Sequence, residues 1–128
     1  MKHITSFICI LMISIFGNAQ SNKKYDIDFT KFNFNIASAQ IFDMMVDADN
    51  YLGKTVRIKG KFYTADTEFG QLYSVLYYDA TACCQTGLSF IPSSKTKLPG
   101  LLEDIEVCGI YKIKKLNGHD YHYIEQFN

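Results

Sequence analysis

A chain of 128 residues with 13 basic and 13 acidic side chains carries no net charge with which to gather a nucleic acid, a task that takes several phosphates neutralised by Lys and Arg. Ten Phe and nine Tyr against two Pro and no Trp point to a sheet-rich domain. The length allows a single core of modest size.

Lys2 and His3 precede an apolar run from Ile4 to Phe16, and the small residues Gly17 and Ala19 follow it. This layout predicts a secretory signal peptide over residues 1–19, cleaved after Ala19. The run is shorter than the roughly 20 residues a membrane-spanning helix needs, and no other stretch approaches that length. The expected location is periplasmic or secreted, with no transmembrane segment in the mature chain. Residues 20–36 read as a polar leader passing into a short strand or extended arm that packs Phe29, Phe32 and Phe34 on the body. Residues 37–128 are the expected folded domain.

Ser38 to Tyr51 predicts a helix, with Ser38 as its cap and Ile41, Phe42, Met45 and Val46 as its buried stripe. Gly53 is a natural stop. Five strands are then expected. Lys54 to Tyr63 alternates, with Val56, Ile58, Gly60 and Phe62 inward and Arg57, Lys59 and Lys61 outward as a solvated basic stripe. Thr64 to Gly70 is a polar hairpin loop. The next strands are Gln71 to Asp79 and Gly87 to Ile91, separated by the Ala80 to Thr86 reversal. A Pro92 to Gly100 loop leads to Asp104 to Lys115, whose inward face is Ile105, Val107, Gly109, Tyr111 and Ile113. Asn117-Gly118 marks a two-residue hairpin turn before the last strand, His119 to Gln126.

Two strands echo each other. TVRIKGKFY and DIEVCGIYK share the form β-branched, x, β-branched, x, Gly, x, aromatic. A glycine within an inward face lets a strand bend sharply or another backbone come close. The expected fold is therefore mainly β: a small five-stranded OB-like Greek-key barrel preceded by one short N-terminal helix. An open antiparallel sheet with the helix across one face is the competing architecture.

The adjacent pair Cys83-Cys84 lies between two strands, and Cys108 lies on a third. With Cys9 lost with the signal peptide, three cysteines remain, and an odd number in an oxidising compartment asks for an explanation. Four readings stand open: a disulfide from the pair to Cys108, a soft-metal site for zinc or copper, buried thiols, and a redox-active or vicinal disulfide. No cofactor is certain. His119 and His122 are auxiliary metal candidates, but on a strand their odd separation sends them to opposite faces. Tyr73, Tyr77, Tyr121 and Tyr123 form a candidate binding surface, able to stack a ring or bury a partner's apolar patch, or else to act as wall residues half in the core. Asp79 before the cysteine loop reads as a turn residue. The sequence contains no Gly-Lys-Ser/Thr phosphate loop and no His-Glu-x-x-His pair, so nothing in it specifies an enzyme.

The stretch from Asp49 to Asn128 resembles a group of secreted bacterial OB-fold-like proteins with an adjacent cysteine pair. The segments that carry the likeness are DNYLGKTVRIKGKFY, DATACCQTGLSFI and EVCGIYK. The layout is similar to the soluble domain of a putative two-component permease family, whose membrane segments this chain lacks. The resemblance implies the barrel fold, an envelope location and a link to metal handling. The expectation is an exported, non-enzymatic binding module. Its partner would be an unknown small ligand or an envelope protein, and not nucleic acid. The alternatives are a small thiol–disulfide redox protein and a structural accessory subunit.

Overall fold

In the computed structural model, which describes residues 24–78 and 84–128, the sheet closes on itself. A two-residue strand β1 (Ile27–Asp28) leads through a 3-10 turn (Phe29–Lys31) into helix α1 (Phe34–Val46). Five longer strands follow: β2 (Thr55–Thr67), β3 (Gly70–Tyr78), β4 (Gln85–Ile91), β5 (Asp104–Leu116) and β6 (His119–Gln126). Their order is β2-β3-β4-β6-β5, and β5 pairs back onto β2. All long-strand pairings are antiparallel except β4 with β6, which is parallel. This is a closed five-stranded OB-like barrel, and the open-sheet alternative is set aside.

Closure depends on the two echoing strands. Residues 55–61 of β2 pair with β5, and residues 61–67 pair with β3. Residues 104–110 of β5 pair with β2, and residues 109–116 pair with β6. Each strand changes partner at its glycine. A Cβ on Gly60 would overlap the Leu76 carbonyl oxygen, and one on Gly109 would overlap that of Glu125 and lie 2.7 Å from the Ile124 Cγ2. The strands cross too closely there for any side chain.

The hairpin between β2 and β3 is tighter than the Thr64 to Gly70 loop expected from its polar composition. Thr67 pairs directly with Gly70, leaving only Glu68 and Phe69 in the turn. The polar side chains bond across the ladder instead: the Thr67 hydroxyl donates to the Gly70 carbonyl at 2.8 Å, and the Thr64 hydroxyl donates to that of Leu72 at 3.0 Å. The β5–β6 turn is the expected one, with Asn117 and Gly118 at φ 48° and 81°.

Helix α1 differs from expectation at both ends and in its face. The Asn33 side chain accepts from the Ile36 N–H at 2.9 Å, so Asn33 is the cap and Ser38 lies inside the helix. The buried stripe is Ala37, Ile41 and Met44, while Ile36, Phe42, Met45 and Val46 are exposed. Apolar residues lie nearly all round this helix, so periodicity alone does not choose the face. Packing chooses it: small Ala37 allows a close approach, and the Met44 carbonyl accepts from the Tyr111 hydroxyl at 2.8 Å. The arm also enters the core. Phe29 is 0 % exposed, the Phe29 and Phe32 rings meet edge to face, and Phe34 stacks on Tyr77. Among the described residues no helix is long and apolar enough to cross a membrane.

Candidate functional site

The mouth of the barrel near the two hairpin turns holds a groove of about 210 Å³. Tyr73 and Phe90, paired across β3 and β4, lie in its floor, and their rings are 6.0 Å apart. Phe62 completes this cluster from below, 6.1 Å from Tyr73. Phe69 from the β2–β3 turn stands on one side, and Leu116 and Tyr121 from the β5–β6 hairpin on the other. In OB-type barrels the face of the second and third strands, framed by these two hairpin loops, is the binding surface, and barrel mouths are common ligand sites.

Two polar groups reach the groove. Gln71 is held by its neighbours: its Oε1 accepts from the Tyr73 hydroxyl and its Nε2 donates to the Thr64 hydroxyl, each at 3.1 Å. This fixes the amide's orientation and leaves one N–H and one lone pair to offer. The Lys114 ammonium lies over the Tyr121 and Tyr123 rings, 5.6 and 5.3 Å from their centroids. Among the described residues the lining holds no histidine, cysteine or carboxylate. It offers ring faces, one amide and one cation, a set able to hold a ring.

The four candidate tyrosines divide. Tyr73 and Tyr121 meet at the groove. Tyr123 is buried and stacks on Tyr121 at 5.6 Å. Tyr77 belongs to the other end of β3, where its hydroxyl donates to the Phe32 carbonyl at 2.5 Å. It secures the arm and takes no part in the groove. Phe69, Phe90 and Lys114 were not singled out in the sequence. One signal was available for Phe69: a large aromatic beside Gly70 in an otherwise polar turn.

The histidines separate as their spacing requires. His119 is exposed at the start of β6. His122 is half-buried, with its Nδ1 2.6 Å from the Tyr111 hydroxyl. That hydroxyl has one hydrogen, which goes to the Met44 carbonyl. His122 therefore carries its proton on Nδ1 and donates it to Tyr111. Burial pushes the Tyr111 phenol up to about 12.

Cys83 and Asp79 lie outside the described residues. Cys84 is exposed just before β4. Cys108 is half-buried on the outer face of β5 and carries a free thiol, 3.8 Å from the Glu106 Oε1 to which it donates. Burial, the largest influence, pushes this thiol up, while the Tyr25 hydroxyl bonded to it pulls down. Since β4 lies beside β3 and β6, and β5 beside β6 and β2, the strand that Cys84 leads into and the strand that carries Cys108 are not neighbours. Among the described residues no three His, Cys, Asp or Glu side chains are grouped to hold a metal ion.

The basic stripe of β2 is largely neutralised. Arg57 lies 2.8 Å from Glu106 and 3.7 Å from Asp28, and Lys61 lies 2.6 Å from Asp104. Comparison with protein-family models, curated proteins and solved structures returns no match to this chain.

Proposed function

We propose that this chain is an exported, non-enzymatic binding module that holds the ring of a small ligand in the groove between its two hairpin turns. The observation that carries the reading is the aromatic floor of Tyr73 and Phe90 opening between Phe69 and Tyr121 at the barrel mouth. Phe69 and Tyr121 stack the ring from its two sides, Gln71 supplies hydrogen bonds, and Lys114 favours a ligand with an electron-rich or anionic substituent. Export is supported by the basic start, apolar run and Ala19 cleavage signal of residues 1–19. Soft-metal binding through Cys83 and Cys84 rests on their adjacency in the sequence.

The test is an amide-shift titration of the ¹⁵N-labelled protein with phenol, indole and a panel of hexoses as ring probes. At least one probe shifts residues 69–73, 90–92 and 114–121 together, and Tyr121→Ala weakens its binding by about tenfold or more, the loss of one stacking face. Shifts that centre on the cysteine loop or the helix instead would remove the groove from consideration.

A further inference from the structure

Helix α1 presents a second surface, on the far side from the core and at the opposite end of β3 from the groove. Phe42 is 69 % exposed and Val46 68 %, and Ile36 and Met45 are more than half exposed. Monomeric proteins seldom leave such a run of large apolar side chains open on one element. Ile36, Ala39, Phe42 and Val46 recur at three- and four-residue spacing, so they form one ridge. The shallow depression along it is about 590 Å³ and is also lined by Asn35 and Asp43.

We infer that this face pairs with the same face of a second copy of the chain, the two helices lying antiparallel across a twofold axis at Ala39. The surface is complementary to itself in both shape and charge. Ala39, the smallest side chain of the ridge, lies on the axis and lets the two backbones approach. Ile36 of each copy then lies level with Phe42 of the other, filling the space beside the axis.

Charge selects this arrangement over a parallel one and over a basic partner. The segment from Phe34 to Asn50 contains no basic residue; its charges, Asp43, Asp47 and Asp49, all lie in its second half. Exposed Lys31 stands just before the first half. In the antiparallel pair, Asp47 of each copy lies at the positive end of the other copy's helix dipole, the end that Lys31 of the preceding 3-10 turn leads into. A parallel pair would set the aspartates of the two copies against each other. The axis is isologous, so the contact closes at two copies, and because the helix lies away from the barrel mouth both grooves stay open. One helix face is smaller than the ~800 Å² per partner of a standard interface, so the pair is concentration-dependent.

The experiment is sedimentation velocity over a concentration series, on protein purified from an exporting host. The expected result is a monomer–dimer equilibrium that Phe42→Glu weakens by about tenfold or more. Lys31→Asp and Asp47→Lys each weaken the dimer, and the double variant restores it. Circular dichroism of each variant separates a loss of pairing from a loss of folding. A monomer at every concentration overturns the proposal, and so does a dimer indifferent to Phe42→Glu. A dimer that the charge swap fails to restore overturns the antiparallel register.

Discussion

Tyr111 joins three elements through one oxygen. It is 0 % exposed, its hydroxyl donates to Met44 of α1, and it accepts from His122 of β6. Tyr111→Phe keeps the ring but leaves a carbonyl and an imidazole N–H without this partner. The expected cost is about 1–3 kcal/mol, measured by urea unfolding at neutral pH. The pH dependence has a definite sign. The phenol titrates at about 12 in the folded protein against 10.0 for the free group. Below about pH 10 both states keep the proton and the full contribution is present. Between about 10 and 12 the unfolded chain loses its proton while the folded protein holds it, so stability falls. The stability gap between native protein and Tyr111→Phe therefore narrows across that window; a gap of constant size would contradict the assignment. The sequence placed Tyr111 on an inward face but could not show its hydrogen-bond partners, because Met44 and His122 meet it only once helix and barrel are assembled.

At the scale of the element, β2 and β5 carry the closure of the barrel, and their shared pattern is what made the fold readable. The β-branched alternation fixes which face is inward, and Gly60 and Gly109 mark where each strand leaves one partner for the next. Gly109→Ala must push β5 away from the Glu125 backbone, which has no soft side chain to yield. The expected loss is of order 2 kcal/mol or more. Gly100→Ala is the contrast: its Cβ would meet only the flexible end of Glu103, so the melting temperature should barely move. Equal effects for the two would mean that crowding at the crossing is not what holds Gly109. Other elements were less legible. The face of α1 was misjudged because apolar side chains surround it and only tertiary contacts select Ala37, Ile41 and Met44. Half of the groove was visible as Tyr73 and Tyr121. Phe69 joins them from the β2–β3 turn, and Phe90 and Lys114 stand opposite Tyr73 and Tyr121 across their strand pairs; the two halves are brought together by the parallel pairing of β4 with β6, a long-range contact with no local signature.

On the scale of the whole molecule, one end of the barrel is completed by chain that precedes its first long strand. The link between β4 and β5 is a loop, and α1 with its arm packs against the core instead. Besides the Tyr77 bond to Phe32, three attachments fix the arm. Ile27 and Asp28 pair with Val56 and Arg57, the Asp26 carboxylate accepts from the Thr55 N–H at 2.9 Å, and Phe29 sits wholly within the core. The Thr55 bonds hold the Asp26 carboxyl below its usual range, so that attachment persists into mildly acidic solution. Of the three, Phe29 matters most, since a short parallel pairing and an exposed carboxylate each add little. Phe29→Ala should cost about 3–5 kcal/mol, a large part of the 5–15 kcal/mol typical of a whole domain. A chain starting at residue 37, the boundary suggested by composition, loses the helix cap Asn33 as well and should not fold cooperatively. Thermal unfolding of the two variants decides the point. A Phe29→Ala loss below about 1 kcal/mol would make the arm an ornament on a self-sufficient barrel. The expected loss makes residues 26–46 the barrel's end wall, part of the same cooperative unit as the strands they cover.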